Sequence, residues 1–227
     1  MSNFVMAPPE PVSIPVAGGG RFPVRRVYCI GRNYAAHAVE MGHDPDREPP
    51  FFFQKNPDNL DASGEFPYPP KTSDVHHEAE LAVALKSGGT NISVPDALGH
   101  VFGYAPALDM TRRDLQGEAK KMGRPWEIGK AFERSAPIGL LEPASSVGHP
   151  DSGRIELKVN GALRQQGDLN RMIWKVPEMI AYLSDYFTLA AGDVILSGTP
   201  AGVGPVERGD VMDLTIEGLA AFRVVVV

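Results

Sequence analysis

The 227-residue sequence has almost no cysteine, no long apolar run and no excess of positive charge. Its single cysteine, Cys29, cannot form an internal disulfide, which indicates a reducing compartment, so we expect a cytoplasmic protein. No apolar run approaches the roughly 20 residues of a membrane helix, and the first residues lack the pattern of a signal peptide. The 22 basic and 28 acidic side chains give a formal charge of −6, which argues against nucleic acid or a membrane surface as a partner.

Three motifs that would identify common enzyme classes are also missing from the sequence. It has no Gly-x-Ser-x-Gly elbow, no Walker phosphate loop and no Gly-x-Gly-x-x-Gly between a strand and a helix. These absences argue against a serine hydrolase of the elbow type, a nucleotide triphosphatase and a dinucleotide enzyme. The composition, 43% hydrophobic and 22% charged, is that of an ordinary globular domain.

Glycine and proline are abundant, with 24 and 21 residues, and predict many turns and short strands. Residues 1–25 form a predicted extended arm, and residues 26–227 form the main domain. Helices are predicted over 33–41, 111–122 and 177–187, the second opening with a capping-box pattern. Strands are predicted over 155–159, 194–197 and 224–227, with Asn160-Gly161 as a type I′ hairpin turn. We therefore expect a mostly β (α+β) protein with a few helices.

Three acidic residues are candidates for chemistry. Glu78 and Glu80 lie two apart in a segment that alternates like a strand, so they share a face opposite Leu81 and Val83. Such a pair is either a solvated strand face or a pair of oxygen ligands for a cation such as Mg²⁺, Mn²⁺ or Ca²⁺. Asp109 lies in an uncharged stretch before the second predicted helix, where it could cap that helix or provide a third ligand.

Five strings of residues follow one another along about 26–227: Gly31-Arg32-Asn33-Tyr34-Ala35-Ala36-His37, His77-Glu78-x-Glu80, Leu108-Asp109-Met110-Thr111, Lys158-Val159-Asn160-Gly161 and Gly198-Thr199-Pro200-x-Gly202-Val203-Gly204. In this order they resemble the fumarylacetoacetate hydrolase family. Within it the resemblance is strongest to the acylpyruvases and the fumarylpyruvate hydrolases of gentisate breakdown.

The resemblance implies a rolled mixed β-sheet, often described as a β-sandwich roll, assembled as a homodimer. It places Glu78, Glu80 and Asp109 on the family's ligands for Mg²⁺ or Mn²⁺. It places His37 and Glu40 on the dyad that activates water in some members, within a lid of about residues 34–50.

Four further polar residues match positions that line the family's pocket: Arg32, Gln116, Lys130 and Thr199. Lys130 is expected to stabilise the negative charge of the enolate that forms when the substrate is cleaved, and the others are expected to bind substrate. Arg113 lies three residues before Gln116 on the second predicted helix and therefore shares its face.

The reaction implied is metal-dependent hydrolysis of the carbon–carbon bond of an acylpyruvate, most simply fumarylpyruvate to fumarate and pyruvate. Two alternatives stay open: decarboxylation of oxaloacetate or isomerisation of a dienedioate through the same enolate, and a non-catalytic protein that binds small acids. Because fumarylpyruvate carries a second carboxylate, we expect an arginine to bind it. The candidates are Arg32, Arg112, Arg113 and, on the lid, Arg47, and we favour Arg113 or Arg47.

Overall fold

Strands dominate the computed structural model, which describes residues 4–35 and 51–227. The strands are β1 (Ser13–Pro15), β2 (Arg21–Pro23), β3 (Arg26–Gly31), β4 (Phe51–Lys55), β5 (Leu60–Asp61), β6 (Glu65–Phe66), β7 (Val75–His77), β8 (Ala79–Leu85), β9 (Val101–Leu108), β10 (Thr111–Arg112), β11 (Ala136–Pro137), β12 (Glu142–Pro143), β13 (Arg154–Val159), β14 (Ala162–Asp168), β15 (Asp193–Leu196), β16 (Gly204–Pro205), β17 (Val211–Ile216) and β18 (Phe222–Val226).

Five α-helices lie between these strands in the described residues. They are α1 (Val94–Ala97), α2 (Arg113–Lys121), α3 (Glu127–Lys130), α4 (Ala144–Val147) and α5 (Val176–Tyr186). Short 3₁₀ turns occupy Pro57–Asn59, Leu98–His100 and Leu169–Arg171. None of the described helices is both long and apolar enough to cross a membrane.

Two large mixed sheets form the body of the molecule. One has the order β12-β9-β8-β15-β3-β4, and the other has the order β14-β13-β17-β18-β6. Most neighbours are antiparallel, but β15 pairs with β3 and β18 with β6 in parallel. A three-stranded sheet, β10-β7-β16, lies next to the candidate site. The mostly-β, few-helix class predicted from the glycine and proline content is confirmed.

Both faces of β8 are buried, in two separate apolar clusters. Leu81, Val83 and Leu85 pack in the larger cluster, with side chains of both large sheets and of α5. The small side chains of Ala82 and Ala84 face the second cluster. The predicted alternation of β8 is therefore correct, and its second face is covered by protein.

The predicted hairpin and helices agree with the structure in part. Asn160 and Gly161 both have positive φ, as a type I′ turn requires, and join the antiparallel pair β13–β14. The helix predicted over 177–187 is α5, and the one predicted over 111–122 begins two residues later, as α2. The helix predicted over 33–41 lies mostly outside the described residues.

The predicted extended arm contains a hairpin. Strands β1 and β2 pair antiparallel, and Gly18, Gly19 and Gly20 turn the chain between them with positive φ. Ile14 and Phe22 are buried in the second apolar cluster, so this part of the arm covers the main sheet.

Candidate active site and metal centre

Three carboxylates meet at one end of the β8–β9 pair. Glu78 lies immediately before β8, Glu80 is its second residue, and Asp109 directly follows β9. The antiparallel register places Ala79 opposite Leu108, so the residues that flank this pair are neighbours across the ladder. The Asp109 amide donates to the Glu78 carbonyl at 2.9 Å. One carboxylate oxygen of each residue lies within 4.8 Å of the others.

The three side chains are buried, which decides between the alternatives left open by the sequence. Glu78 is 6%, Glu80 2% and Asp109 1% exposed, so they do not form a solvated strand face. Asp109 also does not cap α2, because its carboxylate binds two lysines instead: Lys55 at 2.9 Å and Lys130 at 2.7 Å.

The close approach of these buried acids shifts the pKa values of groups in the site. Burial raises the pKa of Glu80 well above its usual value, and the nearby carboxylates of Asp109 and Glu78 raise it further. Burial alone would lower the pKa of Lys130, yet Asp109 and Glu78 outweigh it and raise that pKa. The site is therefore an acidic centre that favours cations in contact with it.

Lys130 bridges two of the acids because α3 comes very close to α2. Its ammonium donates to Glu78 Oε2 at 2.9 Å and to Asp109 Oδ2 at 2.7 Å. The residue before it, Gly129, packs on Gln116 of α2: a Cβ added to Gly129 would lie 2.9 Å from the Gln116 backbone nitrogen and from its Cβ. Only glycine allows this approach without displacing one of the helices.

Arg113 and Thr111 hold Glu78 from the other side. Arg113 donates to Glu78 Oε1 at 2.5 Å and to Gln116 Oε1 at 2.7 Å, and its Nε contacts His76 at 3.3 Å. The Thr111 hydroxyl donates to Glu78 Oε1 at 3.2 Å. The predicted capping box is therefore wrong, because Thr111 lies in β10, paired with β7, and its hydroxyl is turned to Glu78.

The loop after β15 closes the site on its remaining side. The Gly198 amide donates to Glu80 Oε2 at 2.8 Å. Gly198 has a φ of 90°, and a Cβ there would lie 2.7 Å from that of Asn33, so this turn requires glycine. Thr199 Oγ1 accepts from the buried Gln165 side chain at 2.8 Å, which leaves the hydroxyl hydrogen of Thr199 available for another acceptor.

A cavity that is partly open to solvent lies against the carboxylates. Every predicted site residue in the described part of the chain lines it: Arg32, Glu78, Glu80, Asp109, Arg113, Gln116, Lys130 and Thr199. Phe51, Phe53 and Trp126 form an aromatic wall, with the Phe51 and Trp126 ring centroids 4.9 Å apart. The predicted dyad of His37 and Glu40, and Arg47 with them, lie outside the described residues.

Three residues near the site were not among the site residues predicted from the sequence. Lys120 lines the cavity and lies four residues after Gln116, so the helical spacing that identified Arg113 also indicates Lys120. Lys55 is buried, and its Nζ donates to Ser135 Oγ at 2.9 Å and to the Lys130 carbonyl. Gln165 lies on β14, and its buried side chain has no local signal that would point to the site.

The donor set suits a divalent metal ion. Three carboxylates offer hard oxygen ligands of the kind that Mg²⁺ and Mn²⁺ prefer, with no sulfur or imidazole in the group. Their repulsion in a buried place is relieved by a bound cation. Glu78, Glu80 and Asp109 would be its protein ligands.

The chain belongs to the fumarylacetoacetate hydrolase family, whose model for the fumarylacetoacetate hydrolase C-terminal domain matches residues 26–227. The resemblance seen in the sequence is thereby confirmed, and the chain is an enzyme of this family. The crystal structure of fumarylpyruvate hydrolase from Pseudomonas aeruginosa, in complex with Mn²⁺ and pyruvate, is 54% identical and has a TM-score of 0.97, covering 99% of each chain. This agreement confirms the predicted fold class.

Two relatives have other activities in their names. Oxaloacetate tautomerase YcgM from Escherichia coli K12 is 42% identical over 198 residues, which cover 87% of this chain and 90% of that protein. A mitochondrial oxaloacetate decarboxylase from Dictyostelium discoideum is 40% identical over 197 residues, covering 86% and 90%. The family is therefore settled, whereas the relatives differ in reaction.

Proposed function

We propose that the chain hydrolyses acylpyruvates, with fumarylpyruvate as the substrate and fumarate and pyruvate as the products. The observation that carries this proposal is a cavity with an acidic centre for a cation at its base and basic side chains around its walls. Such a cavity fits a substrate with a chelating 2-oxo acid at one end and a carboxylate at the other. The similar enzyme crystallised with Mn²⁺ and pyruvate supports the same assignment.

Glu78, Glu80 and Asp109 would hold Mg²⁺ or Mn²⁺, which supplies Lewis-acid stabilisation of negative charge on the oxygens of the oxo acid. Lys130 has three N–H groups, and its bonds to Glu78 and Asp109 occupy two of them. The third is available to stabilise the leaving enolate. Gln116 and Thr199 would bind substrate with the hydrogens left over from their own hydrogen bonds.

In this proposal the dyad of His37 and Glu40 activates the attacking water. Glu40 orients His37, which takes a proton from water as the oxygen attacks the distal acyl carbonyl. The bond between that carbonyl carbon and the methylene carbon then breaks, and the electron pair leaves with pyruvate as its enolate. Protonation of the enolate carbon completes the reaction. The proposal extends to a homodimer and a role in gentisate breakdown, which come from the family resemblance, and to a cytoplasmic location, which comes from the single cysteine.

Oxaloacetate decarboxylation or tautomerisation is the second candidate, favoured by the two relatives named for those reactions. Both reactions pass through the same enolate of a 2-oxo acid, so the acidic centre and Lys130 would serve either. They differ from hydrolysis in needing no attacking water, and therefore no His37 as the base that activates it. Isomerisation of a dienedioate belongs with this group.

The test measures pyruvate and fumarate released from fumarylpyruvate, and the loss or tautomerisation of oxaloacetate, with Mn²⁺ and with a chelator. We expect both products in equal amounts, abolished by chelator and restored by Mn²⁺. His37→Ala should lower kcat by roughly 10²–10⁴ while Mn²⁺ binding is unchanged. Turnover of oxaloacetate alone would favour the second candidate, and no turnover of any substrate would indicate a binding protein.

A further inference from the structure

Four basic side chains line the cavity, but two of them are already committed to the acidic centre. Lys130 binds Glu78 and Asp109, and Arg113 binds Glu78 and Gln116. The remaining two are Arg32 and Lys120. Within residues 4–35 and 51–227, no carboxylate lies within ion-pair distance of either one.

Aromatic rings hold both remaining cations at the same wall of the cavity. The Arg32 guanidinium carbon lies 5.6 Å from the centroid of the Phe51 ring, and Lys120 Nζ lies 5.0 Å from that of Trp126. Because the Phe51 and Trp126 rings are in contact, the two cations flank one apolar surface. A flat unsaturated chain would pack on this surface and bring a terminal carboxylate between the two charges.

The electrostatics of Lys120 agree with this placement. The side chain is exposed to solvent at the cavity mouth, yet desolvation by the cavity wall lowers its pKa, and the positive charges of Arg113 and Arg32 lower it further. The Glu78 carboxylate offsets these positive charges in part, and a bound anion would offset them further. Arg32 directly follows β3 with a positive φ of 58°, and its side chain lines the cavity.

We propose that Lys120, together with Arg32, binds the distal carboxylate of a dicarboxylic acylpyruvate and so determines the preference for fumarylpyruvate. This inference rests on the proposed function. It replaces Arg113 in that role, because contacts with Glu78, Gln116 and His76 fix the Arg113 guanidinium beside the acidic centre, and it assigns Arg113 to holding Glu78 and Gln116 in position.

The experiment compares kcat/KM for fumarylpyruvate and acetylpyruvate, which lacks the distal carboxylate, in the wild type, Lys120→Met and Lys121→Met. Lys121 is the matched control, because it is exposed on the same helix and does not line the cavity. A charged hydrogen bond contributes enough for a loss of about 10- to 100-fold on fumarylpyruvate in Lys120→Met, mainly in KM. Acetylpyruvate turnover should change less than about threefold, and Lys121→Met should resemble the wild type on both substrates.

Two further variants test whether the positive charge of Lys120 is what matters and whether Arg32 acts with it. Lys120→Arg should recover most of the fumarylpyruvate activity, and Arg32→Met should show the same selective loss as Lys120→Met. Equal losses on both substrates in Lys120→Met would overturn the assignment. Hydrolysis of neither substrate by the wild type would instead overturn the proposed function, and the two failures are thereby distinguished.

Discussion

At the scale of single residues, Glu80 is the sharpest test of the metal centre. Glu80→Gln keeps an oxygen that can accept the Gly198 amide, so the loop after β15 should stay in place while one negative charge is lost. Because affinity for a hard cation follows the charge of its ligands, the Kd for Mn²⁺ should rise at least about tenfold. Calorimetric titration with Mn²⁺ measures this change directly.

Glu118→Gln is the control for that titration, since Glu118 is an exposed carboxylate on α2. It should bind Mn²⁺ like the wild type. A Glu80→Gln variant that is folded and keeps wild-type affinity would exclude Glu80 as a ligand.

Residue types and short spacings were enough to predict the acids but not their partners. Strand alternation placed Glu78 and Glu80 on one face, and the apolar context of Asp109 indicated a partner. Lys55 could not be predicted from such patterns, because it meets Asp109 only through the pairing of distant strands. Lys120 could have been predicted from its helical spacing, whereas the roles of His37 and Glu40 stay predictions from the family resemblance.

At the scale of elements, the contact between α2 and α3 should control the position of Lys130. Gly129→Ala would put a methyl group 2.9 Å from the Gln116 backbone nitrogen, so the helices must separate and Lys130 must shift relative to Glu78. We expect a loss of about 1–3 kcal/mol in the free energy of unfolding, and a fall in kcat. Urea unfolding and steady-state kinetics measure the two effects.

Gly117→Ala is the matched control for this contact. Gly117 lies inside α2, and apart from the neighbouring backbone of that helix no described atom lies within 4 Å of a Cβ added there. Alanine at this position should stabilise the protein by about 0.4–1 kcal/mol, because it restricts the unfolded chain and favours the helix. Equal behaviour of the two variants would show that close packing of α3 on α2 is not what positions Lys130.

Elements with strong local signals were predicted well, and those governed by long-range contacts were not. The Asn160-Gly161 turn and α5 follow from backbone preference and apolar spacing. The start of α2 was misplaced because pairing of Thr111 with β7 outweighed its capping propensity. The arm was predicted to be extended, but its pairing into a hairpin depends on burial of Ile14 and Phe22 against the sheet.

At the scale of the whole molecule, strand order is the property that local patterns could not provide. The sheet order β12-β9-β8-β15-β3-β4 joins segments from both ends of the chain, and β3 lies beside β15 despite more than 160 residues between them. Many arrangements of short strands satisfy the same alternation, so the fold was predicted from the family resemblance and not from periodicity.

Cys29 gives a readout of how the metal centre stabilises this fold. It is 1% exposed on β3, where it pairs with Leu196 on one side and Phe53 on the other. A thiol reagent should reach it only when these strands separate. If Mn²⁺ binds the folded state alone, a concentration of 100 times Kd adds about 2.7 kcal/mol of stability. If the labelling rate is proportional to the fraction of molecules in which these strands are separated, labelling of Cys29 should then slow about 100-fold.

The metal-site variant makes this prediction specific. In Glu80→Gln the same Mn²⁺ concentration should slow labelling of Cys29 only about tenfold, because it is then about ten times Kd and stabilises the folded state less. Labelling in urea should be fast in both proteins, which shows that the thiol itself is reactive. Mn²⁺ protection of equal size in both proteins would place the ion elsewhere. Rapid labelling of the folded wild type would contradict the burial of β3 between its two neighbours.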